Sequence, residues 1–145
     1  MPPIDKAVYL EFLNRLLFGR NKKMVMFEPI PPSVGMLKFT ITRNKTAVNT
    51  LTPSFYLNLE KMDNTQMPVL YAKKMPFKKQ SYYLISLKKN KQRSGGDDNK
   101  DLCLGKLRCH DLEKTKYMLY DSGENYEKKG VRFENIRREH GAFYF

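Results

Sequence analysis

Cysteine is scarce in this chain, two among 145 residues. Cys103 and Cys109 lie too close within one segment to build a disulfide framework, so a reduced setting, cytosolic or nuclear, is expected. Long hydrophobic runs are missing as well. The opening stretch MPPIDKAVYLEFLNRLLFGRNKK is interrupted by Asp5, Lys6, Glu11, Asn14 and Arg15, which excludes the unbroken apolar segment of a signal peptide or membrane span. Any membrane contact is expected to be peripheral, and the Asn44-Lys45-Thr46 sequon to stay unmodified. Catalytic signatures are absent too: no Gly-rich phosphate loop, nucleophile elbow or metalloprotease helix occurs, and His110 and His140 stand 30 residues apart. The nearest approach to a metal set is Cys103, Cys109 and His110. It offers no fourth ligand, and two cysteines spread along one strand do not share a zinc without a sharp turn. Neither an enzyme nor a cofactor or metal site is expected.

Acidic residues are few, 15 against 27 Lys and Arg, for a formal charge of +12. Such an excess attracts polyanions, so the expected partner carries phosphate. The imbalance is also local. From Asn64 to Gly96 there is no Asp or Glu, but there are eight basic residues, Lys73, Lys74, Lys78, Lys79, Lys88, Lys89, Lys91 and Arg93. Lysine meets phosphate as a flexible point charge, which suits backbone or headgroup phosphates better than base edges.

What is present is hydrophobic patterning of two periods. Tyr9, Phe12, Leu13, Leu16 and Leu17 fall on one face of a helix over about residues 6 to 18, with Asp5 placed to cap it and Gly19 to end it. FEPIPPSVG then reads as a linker or extended arm. After Gly35 the period becomes two, in MLKFTITR and SFYLNLE, followed by VLYAKK, SYYLISLK, LCLGKLR, TKYMLYD and GAFYF. Seven short antiparallel strands predict a mainly β barrel or sandwich. The division expected is residues 1–30, helix and Pro-rich arm, and 31–145, the β domain. The last apolar run stops at Phe145 in mid-pattern, as in a chain cut short.

Taken in order, ITRNK, PSFYLNLE, VLYAKK with SYYLIS, LGKLRCH, TKYMLYDSGEN and RREHGAFYF resemble the first half of the tubby domain, over about residues 30 to 145. The family's Ile-Thr-Arg-Asp-Lys strand, the Pro-Thr-Tyr-Phe-Leu-His-Leu strand, a basic loop before Asn-Tyr-Leu-Ile-Ser and a Gly-Lys-Leu-Arg-Ser-Asn strand recur in the same sequence. The resemblance implies an antiparallel tubby-type β-barrel, here incomplete, with the short N-terminal amphipathic helix before it. It also implies binding of phosphatidylinositol 4,5-bisphosphate by Lys73, Lys74 and Arg108; by their charge alone Lys78, Lys79 and Lys106 are expected to add peripheral attraction to an anionic leaflet. Met75, Pro76 and Phe77 interrupt the basic loop, and Cys109 and His110 replace Ser-Asn. The family's closing strands and central helix have no counterpart in these residues. The N-terminal helix, a partner, or marginal stability are the alternatives for the sheet face so exposed.

The function expected is a phosphoinositide-binding module at the inner face of the plasma membrane, with adaptor work in membrane-protein or ciliary trafficking. Its partners would be ciliary transport machinery or membrane-protein cargo, and its compartments would extend to cilium or nucleus. A second reading is a nucleic-acid-binding, transcription-associated β domain offering Phe77, Tyr82 and Tyr83 to bases. Alternation opposes it, because adjacent Tyr82 and Tyr83 point to opposite faces. A third is an inert truncated paralogue.

Overall fold

The structure, a computed structural model, describes residues 5–44, 52–75, 81–87 and 103–145. The N-terminal stripe forms helix α1 (Lys6–Phe18). Asp5 caps it, accepting from the Ala7 and Val8 backbone N–H groups at 2.9 and 3.3 Å, two of the donors a helix start leaves unpaired. Tyr9, Phe12, Leu13 and Leu16 are buried, and the one-turn helix α2 (Lys22–Val25) adds Val25 to the same core. The Pro-rich arm is not a free linker. Pro31 and Pro32 begin a 3-10 turn that sinks Val34 into the core at 1% exposure, and the Ser33 carbonyl accepts the Asp5 N–H at 3.0 Å. Fixed proline φ angles preorganise that turn.

Strands β1 (Lys38–Asn44), β2 (Ser54–Glu60), β3 (Gln66–Lys74), β4 (Tyr82–Ser86), β5 (Cys103–Cys109), β6 (Lys116–Asp121) and β7 (Glu139–Tyr144) follow. They pair antiparallel in simple chain order, leaving β1 and β7 as edges. Side chains alternate across the sheet, so register sorts them into two faces. One row runs Ser54, Lys73, Leu84, Lys106, Tyr120, and its neighbour on the opposite face runs Lys74, Tyr83, Leu107, Leu119.

The first face is polar. On it the Asn58 side-chain amide donates to the Thr42 hydroxyl at 2.5 Å, and the Tyr56 and Tyr71 rings lie 5.2 Å apart. The second face is apolar, with Phe55 meeting the edge of Tyr83. Helix α1 packs on one corner of it, over Leu59 and Val69. Val69 joins that core because the register shifts between Leu57 and Asn58 and pairs Asn58 with Pro68, putting the proline at a bulge where a ladder donor is dispensable. Burial of each such aliphatic side chain stabilises by about 1.5–3 kcal/mol. Elsewhere the face stays open, with Phe39 42%, Ile41 71% and Phe143 47% exposed. The helix is thus a partial cover rather than a plug for the whole sheet.

Candidate anion site

The cations expected from the sequence are divided by the sheet. Lys73 stands on the polar face, in the same row as Lys106 and two strands away, about 10 Å between backbones. Arg108 lies two residues along β5 from Lys106, so it shares that face. Lys74 falls on the apolar face beside Tyr83. Lys78, Lys79 and Phe77 lie outside the described residues. The structure therefore brings Lys73, Lys106 and Arg108 to one surface and sets Lys74 apart.

Arg108 and Lys106 are held by their neighbours. The Arg108 guanidinium sits over the Tyr82 ring, 5.1 Å from its centre, the cross-strand partner that register supplies. Cation–π contact orients it, yet its buried Nε has no hydrogen-bond partner among the described residues. Lys106 donates from Nζ to the Gly123 and Ser122 carbonyl oxygens at 3.0 and 3.5 Å, which leaves its third N–H donor without an acceptor among the described residues. Burial first, and then the nearby Arg108 and Arg137 charges, hold its pKa below that of an ordinary lysine, against opposing contributions from Cys103 and Glu124. Lys106 thus feels both guanidinium groups as well as the Glu124 carboxylate, and like charges brought together favour an anion nearby.

Arg137 is the residue that sequence reasoning missed. It precedes β7, where no strand period assigns a face, and only the chain's return over β6 brings it to the site. Its guanidinium lies 4.3 Å from the centre of the Tyr120 ring. Tyr120, 4% exposed, is the cross-strand partner of Lys106, and its hydroxyl is 2.9 Å from His110 Nε2. The polar face thus carries a patch of tyrosine rings overlaid by arginines. A hollow of about 570 Å³ lies elsewhere, between α1 and the β2–β3 turn, where Leu13, Met62 and Met67 help line it. None of the expected site residues that are described lines it.

Both cysteines are free and buried. Burial pushes the Cys103 thiol's pKa up, which disfavours the reactive thiolate. Among the described residues no group of three or more His, Cys, Asp or Glu side chains is placed to hold a metal, and no helix is long and apolar enough to cross a membrane.

The sequence profile of the Tub family matches residues 26–142. The chain belongs to the Tub family. Its relatives include Tubby-related protein 2 of Homo sapiens, 34% identical over 110 residues, which are 74% of this chain and 20% of that protein. Tubby-related protein 3 of Mus musculus is 32% identical over 106 residues, 72% of this chain and 22% of that one. Tubby-related protein 2 of Mus musculus is 35% identical over 112 residues, 76% and 19%. The Tub-family chain therefore spans about a fifth of the length of these relatives. Its seven antiparallel strands are an incomplete tubby-type barrel. The Tub family is not an enzyme family.

Proposed function

We propose that this chain is a noncatalytic phosphoinositide-binding module that takes a bisphosphorylated inositol headgroup on the polar face of its sheet. The observation that carries the reading is the placement of Lys73, Lys106 and Arg108 on that one face, with Arg108 Nε buried and lacking a partner among the described residues. A doubly phosphorylated ring needs several cations converging on one spot. An arginine grips one phosphate through paired N–H donors while lysines neutralise the rest. Family membership and the +12 charge support the same ligand class. Phosphatidylinositol 4,5-bisphosphate is the lipid proposed, at the inner face of the plasma membrane, with adaptor work in membrane-protein or ciliary trafficking as the wider role.

The nucleic-acid reading finds less support in the geometry. Tyr82 lies under Arg108 on the polar face, and Tyr83 meets Phe55 on the apolar one, so the two rings form no common stacking platform. The reading is tested by co-sedimentation with vesicles. Wild-type protein is expected to prefer vesicles containing phosphatidylinositol 4,5-bisphosphate to phosphatidylserine vesicles of equal charge. A Lys73→Ala/Arg108→Ala variant is expected to lose that preference. Equal binding to both vesicles by the wild type would reduce the patch to nonspecific charge.

A further inference from the structure

We propose that Arg137 is the second guanidinium of the headgroup site, gripping a phosphate beside the one held by Arg108. This rests on the headgroup reading above and adds to it a residue from a different part of the chain.

The local fold delivers Arg137 to one place. Residues 135–138 are laced onto the 121–124 turn: Glu124 N–H donates to the Asn135 carbonyl at 2.7 Å, Arg137 N–H to the Glu124 carbonyl at 2.9 Å, and Asp121 N–H to the Arg138 carbonyl at 3.1 Å. The Asp121 carboxylate accepts from the Gly123 and Arg138 N–H groups at 2.8 and 3.1 Å. Gly123 permits this approach, since a Cβ there would lie 2.5 Å from the Arg137 Cα. The same turn offers the Ser122 and Gly123 carbonyls that hold Lys106. One turn therefore positions two of the cations.

The acids at this spot have partners other than the two arginines. Asp121 is committed to backbone N–H groups. Glu124 is paired with Lys128 at 2.5 Å. Arg137 and Arg108 have no carboxylate partner among the described residues, and each keeps a buried guanidinium nitrogen without a hydrogen bond, Nη1 in Arg137 and Nε in Arg108. Buried donors left so are costly unless something accepts from them. A ligand with two phosphates offers an acceptor group to each guanidinium, whose remaining nitrogens are the donors it would meet; a single carboxylate or one diester phosphate offers only one such group. Tyr120, stacked beneath Arg137, keeps the planar group in place as Tyr82 does for Arg108.

The test uses the whole chain with Arg137→Gln, Arg137→Lys and Arg108→Ala variants. Binding is measured to vesicles containing phosphatidylinositol 4,5-bisphosphate, vesicles containing a monophosphorylated phosphoinositide, and phosphatidylserine vesicles of equal charge. Soluble inositol 1,4,5-trisphosphate serves as competitor, and thermal melting is followed in parallel. Arg137→Gln is expected to weaken binding to the bisphosphate vesicles about tenfold or more, the value of one charge-assisted contact. Binding to monophosphate and phosphatidylserine vesicles should change much less, and the competitor's affinity should fall in parallel with that for bisphosphate vesicles. Arg137→Lys should recover only part of the loss. Retained bisphosphate preference in Arg137→Gln, alongside loss in Arg108→Ala, would leave the headgroup reading standing and overturn this inference. A lowered melting temperature with unchanged affinity of the folded protein would likewise make Arg137 a clamp on Tyr120 only. Absence of bisphosphate preference in the wild type would overturn both.

Discussion

Replacing Lys73 and Lys74 one at a time separates a site from a charge cloud. The two lysines are adjacent in sequence and carry the same charge, so any account based on net charge expects equal losses. The sheet treats them differently, because Lys73 shares its face with Lys106 and Arg108 whereas Lys74 shares its face with Tyr83 and Leu107. A lysine that only adds attraction near an anionic surface contributes about 1 kcal/mol, or about fivefold in affinity. A lysine that also donates directly to phosphate adds a charge-assisted hydrogen bond of about 1.5–3 kcal/mol. Lys73→Ala should therefore lower affinity for bisphosphorylated vesicles by about tenfold or more, and Lys74→Ala by no more than about fivefold. The assay is vesicle co-sedimentation at fixed ionic strength near 0.1 M, where the screening length is about 10 Å and distant charges contribute little. Equal losses from the two substitutions, or a larger loss from Lys74→Ala, would refute the division by faces.

Leu59→Ala, at a side chain with no exposure between β2 and α1, should cost about 2–5 kcal/mol, read as a lower denaturation midpoint, with loss of α1 packing detectable by limited proteolysis. Gly123→Ala should lower the melting temperature and weaken bisphosphate binding together, since the new Cβ must push back backbone of the 135–137 segment; overpacking of this kind costs about 1–3 kcal/mol. Asp111 accepts from the Thr115 hydroxyl and from the Thr115 and Lys116 N–H groups at 3.0 Å, and these bonds, the hydroxyl's first, hold its carboxyl well below the usual carboxylate range. A depressed folded-state pKa stabilises fully above the unfolded value near 4 and is lost as pH falls through the folded one; Asp111→Asn should therefore flatten the acid side of the melting-temperature profile. The open apolar face should bind a hydrophobic dye and promote self-association, and Ile41→Lys, at a position 71% exposed, should reduce both without unfolding the protein.

Much of the fold is legible in the residues because two periods change at a clear point. The stripe from Tyr9 to Leu17 is a complete helical face with Asp5 before it, and it forms α1 over Lys6–Phe18. SFYLNLE alternates strictly and becomes β2 over Ser54–Glu60. The arm at FEPIPPSVG is harder, since proline content marks a bend without showing that Val34 is pulled into a core by contacts with a helix far earlier in the chain. The cation patch is legible only in part. Spacing places Lys106 and Arg108 on one face of a strand and adjacent Lys73 and Lys74 on opposite faces, but which of the two lysines joins Lys106 and Arg108 follows only from register with β4 and β5. Arg137 carries no periodic signal at all. Its position depends on the Asp121 carboxylate and the glycine at 123, contacts between segments that no local pattern announces.

The central claim, that an inositol headgroup binds on the polar face, is tested most directly by side-chain NMR during titration with inositol 1,4,5-trisphosphate. Neighbouring residues report the two faces separately: the Tyr82 and Tyr120 rings and the Leu84 methyls on one, the Tyr83 ring and the Leu107 and Leu119 methyls on the other. Saturable shifts at Tyr82, Leu84 and Tyr120, with Tyr83, Leu107 and Leu119 nearly still, are the predicted result. Shifts centred on the apolar-face set, or none on either face at concentrations that displace the protein from vesicles, would contradict it.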